Sequence, residues 1–199
     1  MAETKRVVLA TRNQGKVREF NKLFAGLGWE CVSLAEFADP PEVVEDGDTF
    51  EANAIKKAVA VSSYLNMPAI GDDSGLEVDA LGGRPGVYSA RYAGEQATDE
   101  DNWRKLLEEL AGVPDERRTA RFRCTLALAE PGKAPLIATG SCEGVIAHAP
   151  SGNNGFGYDP VFYLPERNRT MAELSAEEKN RISHRAEAMR NLLKQVQTK

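Results

Sequence analysis

The chain of 199 residues is poor in cysteine, and Cys31, Cys124 and Cys142 are odd in number with no Cys-x-x-Cys among them. Neither a disulfide framework nor a zinc ribbon follows, and a reduced, cytoplasmic compartment is the simplest expectation. Only two histidines are present, His148 and His184, and with no cysteine pair beside them they argue against a zinc centre. No apolar run approaches the roughly 18 residues that a membrane helix needs. The opening residues 1–9 have too few apolar side chains after Lys5 and Arg6 for a secretory leader, and read as a first strand. Basic surface is also lacking: the net charge is -5, which speaks against general nucleic-acid binding, so a phosphate site has to be local. A nucleophile elbow is missing, and with it a Ser-His-Asp hydrolase.

What is present is ordinary for a globular protein: 42% hydrophobic and 28% charged residues, enough for a single domain spanning 1–199. Residues 7–11 read as a short buried strand, and residues 15–27 place Val17, Phe20, Leu23, Phe24 and Leu27 at helical spacing. A turn-rich stretch at Asp39, Pro40 and Pro41 precedes a second helix. There Asp48 and Glu51 have the spacing of an N-cap and its N3 partner, while Phe50, Ala54, Ala58, Val61 and Leu65 form the buried stripe. Residues 67–80 read as a strand, an acidic turn and a second strand, followed by a tight loop at Gly82, Gly83, Pro85 and Gly86. Thr98 is placed to cap a helix running to about Ala111. Residues 121–129 and 136–147 suit two long strands joined at Pro131, Gly132 and Lys133, with Gly140 and Gly144 offering a place for a bulge. Ser175 and Glu178 have capping-box spacing ahead of a helical stretch, 177–196, with an interruption expected near Ser183. Helices between the early strands, and later strands adjacent in sequence, predict an α/β fold with a mixed sheet flanked by helices.

Four segments have residue types suited to chemistry. Thr11, Arg12, Asn13, Gln14, Gly15 and Lys16 lie between the first strand and first helix, where backbone amides and the helix dipole favour an anion and Lys16 adds a mobile charge. Val17 stands where a Walker motif needs Ser or Thr, so this is either a different phosphate loop or an ordinary strand-to-helix connection. Asp72, Asp73, Glu77 and Asp79 put four acids close together, and strand alternation aims Asp72 and Asp73 oppositely, so one of them is expected to face a site. Such a carboxylate suits magnesium, which takes one or two protein carboxylates plus phosphate oxygens; a solvated acidic turn is the plain alternative. Glu42, Glu45, Asp46 and Asp48 offer a further ligand, or merely favour a helix N-terminus.

The third segment, Gly152 to Pro160, sets Phe156 and Tyr158 among glycines that permit close backbone approach, with Asp159 as a hydrogen-bonding partner. It reads either as a base-stacking loop or as a turn whose aromatics dock on the core. The fourth groups Lys179 with Ser183, His184 and Arg185, donors suited to a keto oxygen or a phosphate. His148 has no such company.

Taken together, Thr11-Arg12-Asn13-Gln14-Gly15-Lys16, Asp72-Asp73-Ser74-Gly75-Leu76, Gly82-Gly83-Arg84-Pro85-Gly86, Phe156-Gly157-Tyr158-Asp159-Pro160 and Ser183-His184-Arg185 resemble the inosine/xanthosine triphosphate pyrophosphatase family, in order and over nearly the whole chain. The resemblance implies an elongated mixed sheet with helices on both sides, two lobes with a central cleft, and a homodimer. It implies Mg2+-dependent hydrolysis of ITP, dITP and XTP to the monophosphate and pyrophosphate, which keeps such purines out of DNA and RNA. By position, residues 11–16 and Lys57 would contact the phosphates, Glu45 and Asp73 would hold magnesium, and Asp73 would activate water. Ser74, Phe156, Gly157, Tyr158, Asp159, Lys179, His184 and Arg185 would bind the nucleotide, with Phe156 as the stacking face and the last residues reading the base. Donors facing the keto group at purine position six would oppose the amino group of adenine. Two departures stand out: Arg12 and Ala186 occupy places where the family often has glycine. Two other readings stay open, a nucleotide-binding protein without turnover and a phosphatase releasing orthophosphate from another metabolite.

Overall fold

The computed structural model describes residues 5–25 and 27–197. The expected opening strand is β1 (Lys5–Leu9); residues 1–4, which the sequence also placed in it, lie outside the described residues. β1 leads into α1 (Gln14–Phe24), β2 (Trp29–Ser33), α2 (Phe50–Leu65) and β3 (Ala69–Val78). Then come α3 (Asp99–Glu109), β4 (Thr119–Ala129), β5 (Leu136–Ile146), β6 (Phe162–Leu164), β7 (Arg169–Thr170), α4 (Ala176–Ile182) and α5 (His184–Gln197). The strands form one sheet in the order β2-β1-β3-β4-β5-β6-β7. β1 runs parallel to both β2 and β3, whereas β6 is antiparallel to β5 and β7, so the sheet is mixed and the fold α/β.

The chain divides into two compact units. The first comprises Met1–Asp73, Cys124–Gly140 and Arg185–Lys199. Its core packs Val7, Leu9, Phe20, Phe24, Ile70, Leu126 and Leu192, with Trp29 stacked on Phe24 at 5.5 Å. The second comprises Ser74–Arg123 and Ser141–His184, and its core gathers Leu76, Leu106, Phe122, Phe162 and Met171. Buried Arg118 ties this second unit by donating to the carbonyls of Leu110, Ile146 and Ala147, main-chain groups that would otherwise be costly to bury.

Local signals explain several element ends. Asn13 caps α1, its Oδ1 accepting from the amides of Gly15 and Lys16 at 2.9 and 3.2 Å. Thr98 with Asp101 and Ser175 with Glu178 form reciprocal capping boxes on α3 and α4. Ser183, extended at φ -67° and ψ 155°, ends α4 immediately before α5, which is the interruption expected there.

Other expectations fail, for physical reasons. Residues 67–80 contain no acidic turn: β3 runs unbroken through Asp72 and Asp73. At Gly71 a Cβ would lie 2.1 Å from the carbonyl oxygen of Ala54, so β3 lies against α2 at backbone distance. Basic side chains meet the acids there, and no turn is needed to bring them to water. The cap of α2 is Thr49, whose hydroxyl accepts from Ala52; Asp48 sits one residue too early and is exposed. β2 gave no signal because only Val32 and Ser33 of its five residues are buried, leaving no period to read. α1 stops at Phe24 rather than Leu27, and Gly26 lies outside the described residues.

Candidate active site

In the first unit, charge converges on β3. Asp72 is fully buried. One of its carboxylate oxygens pairs with Lys16 Nζ, and the other accepts from Arg185 Nε at 2.9 Å and from Cys124 Sγ at 3.4 Å. Arg185, 3% exposed, also pairs through Nη1 with Glu19 Oε2 at 2.7 Å. Burial works against charge on Asp72, but Arg185 and Lys16 outweigh it and hold its carboxyl well below the usual carboxylate range. Cys124, desolvated and beside that carboxylate, has its thiol pushed well up.

Asp73 has a different environment. It is 6% exposed, its Oδ1 lies 3.7 Å from Lys57 Nζ, and its Oδ2 is buried with no hydrogen-bond partner. Desolvation raises its pKa; Lys57, Asn53 and Lys16 oppose the rise, and Glu45 adds to it. Lys57, buried on α2, donates to the main-chain carbonyl of Asp72 at 2.6 Å and pairs with Glu45. Glu45 thus reaches the same lysine as Asp73 from the irregular segment before α2.

Among the described residues, no group of three or more His, Cys, Asp and Glu forms a metal cage. The donor set nevertheless fits magnesium: Asp73 Oδ2 is an unpartnered buried oxygen, Glu45 is a second hard oxygen donor, and this cation completes its shell with substrate oxygens and water.

The Thr11–Lys16 connection is arranged differently from a bare anion loop. The amides of Gly15 and Lys16 are taken by Asn13, and the amide of Asn13 donates to the Thr11 hydroxyl at 3.1 Å. Arg12, Asn13 and Gln14 are exposed, and Lys16 points its ammonium to Asp72. The resource for an anion is therefore side-chain charge more than orphan amides.

In the second unit, the loop after β5 is built around Asp159, which is 2% exposed. Its Oδ2 accepts from the amide of Phe156 at 3.1 Å and from Lys179 Nζ at 2.6 Å. Gly155, at φ 76°, is required here, since a Cβ would fall 2.0 Å from that same oxygen. Lys179 Nζ also lies 4.7 Å from the centre of the Phe156 ring. The amide of Gly157 donates to Asp99, and Tyr158 is buried with its hydroxyl donating to the carbonyl of Ser89 at 2.7 Å. Tyr158 thus anchors the loop, leaving half-buried Phe156 as its aromatic face. His184, 3% exposed, stacks on Phe122 at 4.8 Å. Ser74 is half-buried on β3.

The expected residues therefore fall into two groups. Lys16, Glu45, Lys57 and Asp73 come together in the first unit; Phe156, Gly157, Tyr158, Asp159 and Lys179 come together in the second. Arg185, expected beside His184 as a base reader, belongs instead to the first unit, where two buried carboxylates claim its guanidinium. Glu19, Asn53, Asp99 and Cys124 went unnoticed in the sequence. For Asn53 a signal existed: Asn53 and Lys57 are polar residues four apart within the apolar stripe of α2, where both are buried.

A mixed sheet with lysines, an arginine and carboxylates gathered about one strand defines an α/β protein with a buried charged cluster at β3. The chain belongs to the Ham1 family, whose model matches residues 7–195. It is 61% identical over 188 residues to the dITP/XTP pyrophosphatase of Geobacillus kaustophilus, covering 94% of this chain and 92% of that one. To the dITP/XTP pyrophosphatase of Bacillus subtilis it is 53% identical over 190 residues, covering 96% of each. Among solved structures, it is similar to the Ham1 protein of Staphylococcus aureus, with a TM-score of 0.86, 43% identity and coverage of 98% and 99%. The HAM1 protein of Coxiella burnetii gives a TM-score of 0.87, 44% identity and coverage of 98% and 100%.

Proposed function

We propose that this chain is a dITP/XTP pyrophosphatase, hydrolysing dITP, XTP and ITP to the monophosphate and pyrophosphate. The observation that carries the reading is the state of Asp73: a buried carboxylate with one unpartnered oxygen, beside Lys57 and, through it, Glu45. Its relatives named as dITP/XTP pyrophosphatases support the same substrate class.

In this reading Glu45 and Asp73 would hold magnesium, which when bound would supply charge neutralisation at the phosphates. Lys16 and Lys57 bind the triphosphate oxygens, with Thr11, Arg12, Asn13, Gln14 and Gly15 forming the approach to them. Asp73 takes the proton of the attacking water, a task for which burial makes it a stronger base than a surface carboxylate. Phe156 stacks on the purine, while Lys179 and His184 present donors to its position-six oxygen, an arrangement that an adenine amino group would oppose. Asp159 holds Lys179 and the Phe156 amide in place, Ser74 contacts the nucleotide from β3, and Arg185 fixes Asp72 and through it Lys16. We infer a homodimer acting on the cytoplasmic nucleotide pool, removing purines that would otherwise enter DNA and RNA. No helix among the described residues is long and apolar enough to cross a membrane.

The test is pyrophosphate release from dITP, XTP, ITP, dATP and dGTP side by side, with Mg2+ and with chelator. Release confined to the first three and dependent on metal is expected. Orthophosphate as first product, or tight binding without turnover, would overturn the assignment.

A further inference from the structure

Glu45 sits on a segment with no regular structure: residues 40–47 belong to no helix or strand. Such a stretch has no ladder to fix its register, yet its exposure alternates. Val43, Glu45 and Gly47 are half-buried, while Val44, Asp46 and Asp48 are exposed. A slip of one residue would turn Glu45 outward and Val44, now 67% exposed, inward.

Beside the Lys57–Glu45 ion pair at the site itself, one side chain holds the main chain of this segment. Asn53, 1% exposed on α2, accepts from the amide of Gly47 at 2.8 Å and donates to the carbonyl of Gly47 at 3.3 Å. Its amide thus does for Gly47 what a neighbouring strand does in a sheet, satisfying both main-chain groups of one residue. The fit admits no side chain at Gly47: a Cβ there would fall 2.6 Å from Asn53 Oδ1 and 3.0 Å from the Ala52 Cβ. Two ion pairs also touch this segment: Lys57 to Glu45, which fixes the carboxylate but not the main chain, and Lys56 to Asp46, which is solvent-exposed and constrains it weakly.

We propose that Asn53 is a positioning residue for the metal site, its amide clamping Gly47 so that Glu45 is presented on the side of α2 where Lys57 and Asp73 lie. The inference rests on the reading of Glu45 and Asp73 as magnesium ligands. Groups that hold metal ligands in place typically change metal affinity by roughly 10- to 100-fold when removed.

Two substitutions attack the clamp from opposite sides. Asn53→Ala deletes the amide; Gly47→Ala keeps it but pushes it away. The direct readout is Mn2+ binding to the nucleotide-free chain, followed by the electron paramagnetic resonance of free Mn2+, an ion with the same preference for oxygen ligands as Mg2+. Each variant is expected to bind Mn2+ about tenfold more weakly. The double variant should bind no more weakly than either single one, because both remove the same contact. Binding of dITP in chelator should be unchanged, which loss of the fold would not allow, and Lys56→Ala should keep wild-type Mn2+ affinity. If the wild type binds Mn2+ and both folded variants match it, Asn53 has no such role, and Gly47→Ala decides the matter should Asn53→Ala fail to fold. If the wild type itself binds no Mn2+ and hydrolyses dITP in chelator, the metal reading falls and this inference with it.

Discussion

The two units assemble polar groups by opposite means. In the first, the contacts are long in sequence: Arg185 reaches back to Asp72 and Glu19, and Lys16 meets Asp72 across most of the unit. In the second, Asp159 binds an amide three residues away and a lysine 20 residues on, within a loop shaped by Gly155. The first unit gathers Glu19, Glu45, Asp72 and Asp73 with Lys16, Lys57 and Arg185 about β3, whereas the loop after β5 in the second sets a buried ion pair, Lys179 with Asp159, beside an aromatic ring. A dense charge lattice suits a polyphosphate and a cation; a donor whose charge is balanced by a buried carboxylate, beside an aromatic face, suits an uncharged ring. Within the first unit the contrast recurs between neighbours. Asp72 has both carboxylate oxygens engaged, while Asp73 keeps one without a partner, so adjacent acids on one strand divide into a paired and an open member, which the proposed function reads as structural and reactive.

The sharpest way to break this division is Asp73→Asn, expected to lower turnover about 10^3-fold, since the isosteric amide cannot take a proton. The sign of its stability effect is a separate check. Because the folded-state pKa of Asp73 is raised above its ordinary 3.8, ionising it disfavours the fold as pH rises through the raised value. The variant should therefore melt above the wild type at neutral pH, the difference closing below about pH 4, as followed by thermal unfolding.

Arg185→Met tests the structural member and should destabilise the chain by about 3–5 kcal/mol, because it strands buried Asp72 and Glu19. The depressed pKa of Asp72 means that its stabilisation is present above its ordinary 3.8 and lost as pH falls through the folded value. In Arg185→Met that loss should begin at higher pH, visible in melting curves taken from pH 6 downward. An unchanged acid limb would remove Arg185 from this role.

Phe156→Ala addresses the second unit. Loss of stacking worth about 1–3 kcal/mol should raise KM for dITP roughly 5- to 150-fold, with little change in the Mg2+ concentration that half-activates the enzyme. A parallel rise in that metal requirement would erase the distinction between the units. The smallest effect belongs to Lys56→Ala, whose exposed partner Asp46 should leave melting temperature and KM unaltered.

Much of the fold was legible because caps are local. The side chains of Thr98 and Ser175 bind amides three residues ahead, and the break at Ser183 needs no distant partner. The mixed sheet followed from element order, and the ordered motifs carried the family. The course of β3 could not be read the same way: four acids in so short a span look like a turn unless Lys16, Lys57 and Arg185 are known to meet Asp72 and Asp73, and Arg123 and Arg121 to meet Glu77 and Asp79. Likewise the motif Ser183-His184-Arg185 is contiguous in sequence, but helix geometry sends His184 to Phe122 and Arg185 to Asp72. Asn53, polar on a face of α2 that is otherwise apolar, could not be matched to Gly47 from the sequence, because that partner offers only main-chain groups.

The amino-acid sequence by itself determined the starts of α3 and α4, the break between α4 and α5, the α/β class and the family, since each depends on interactions within a few residues or on the order of motifs. Only the tertiary structure decided which acid is paired and which is open, and how Glu45 is turned toward Lys57. Those outcomes depend on charges brought together from distant segments into a dry interior, where each ionised group is tolerated only beside its partner.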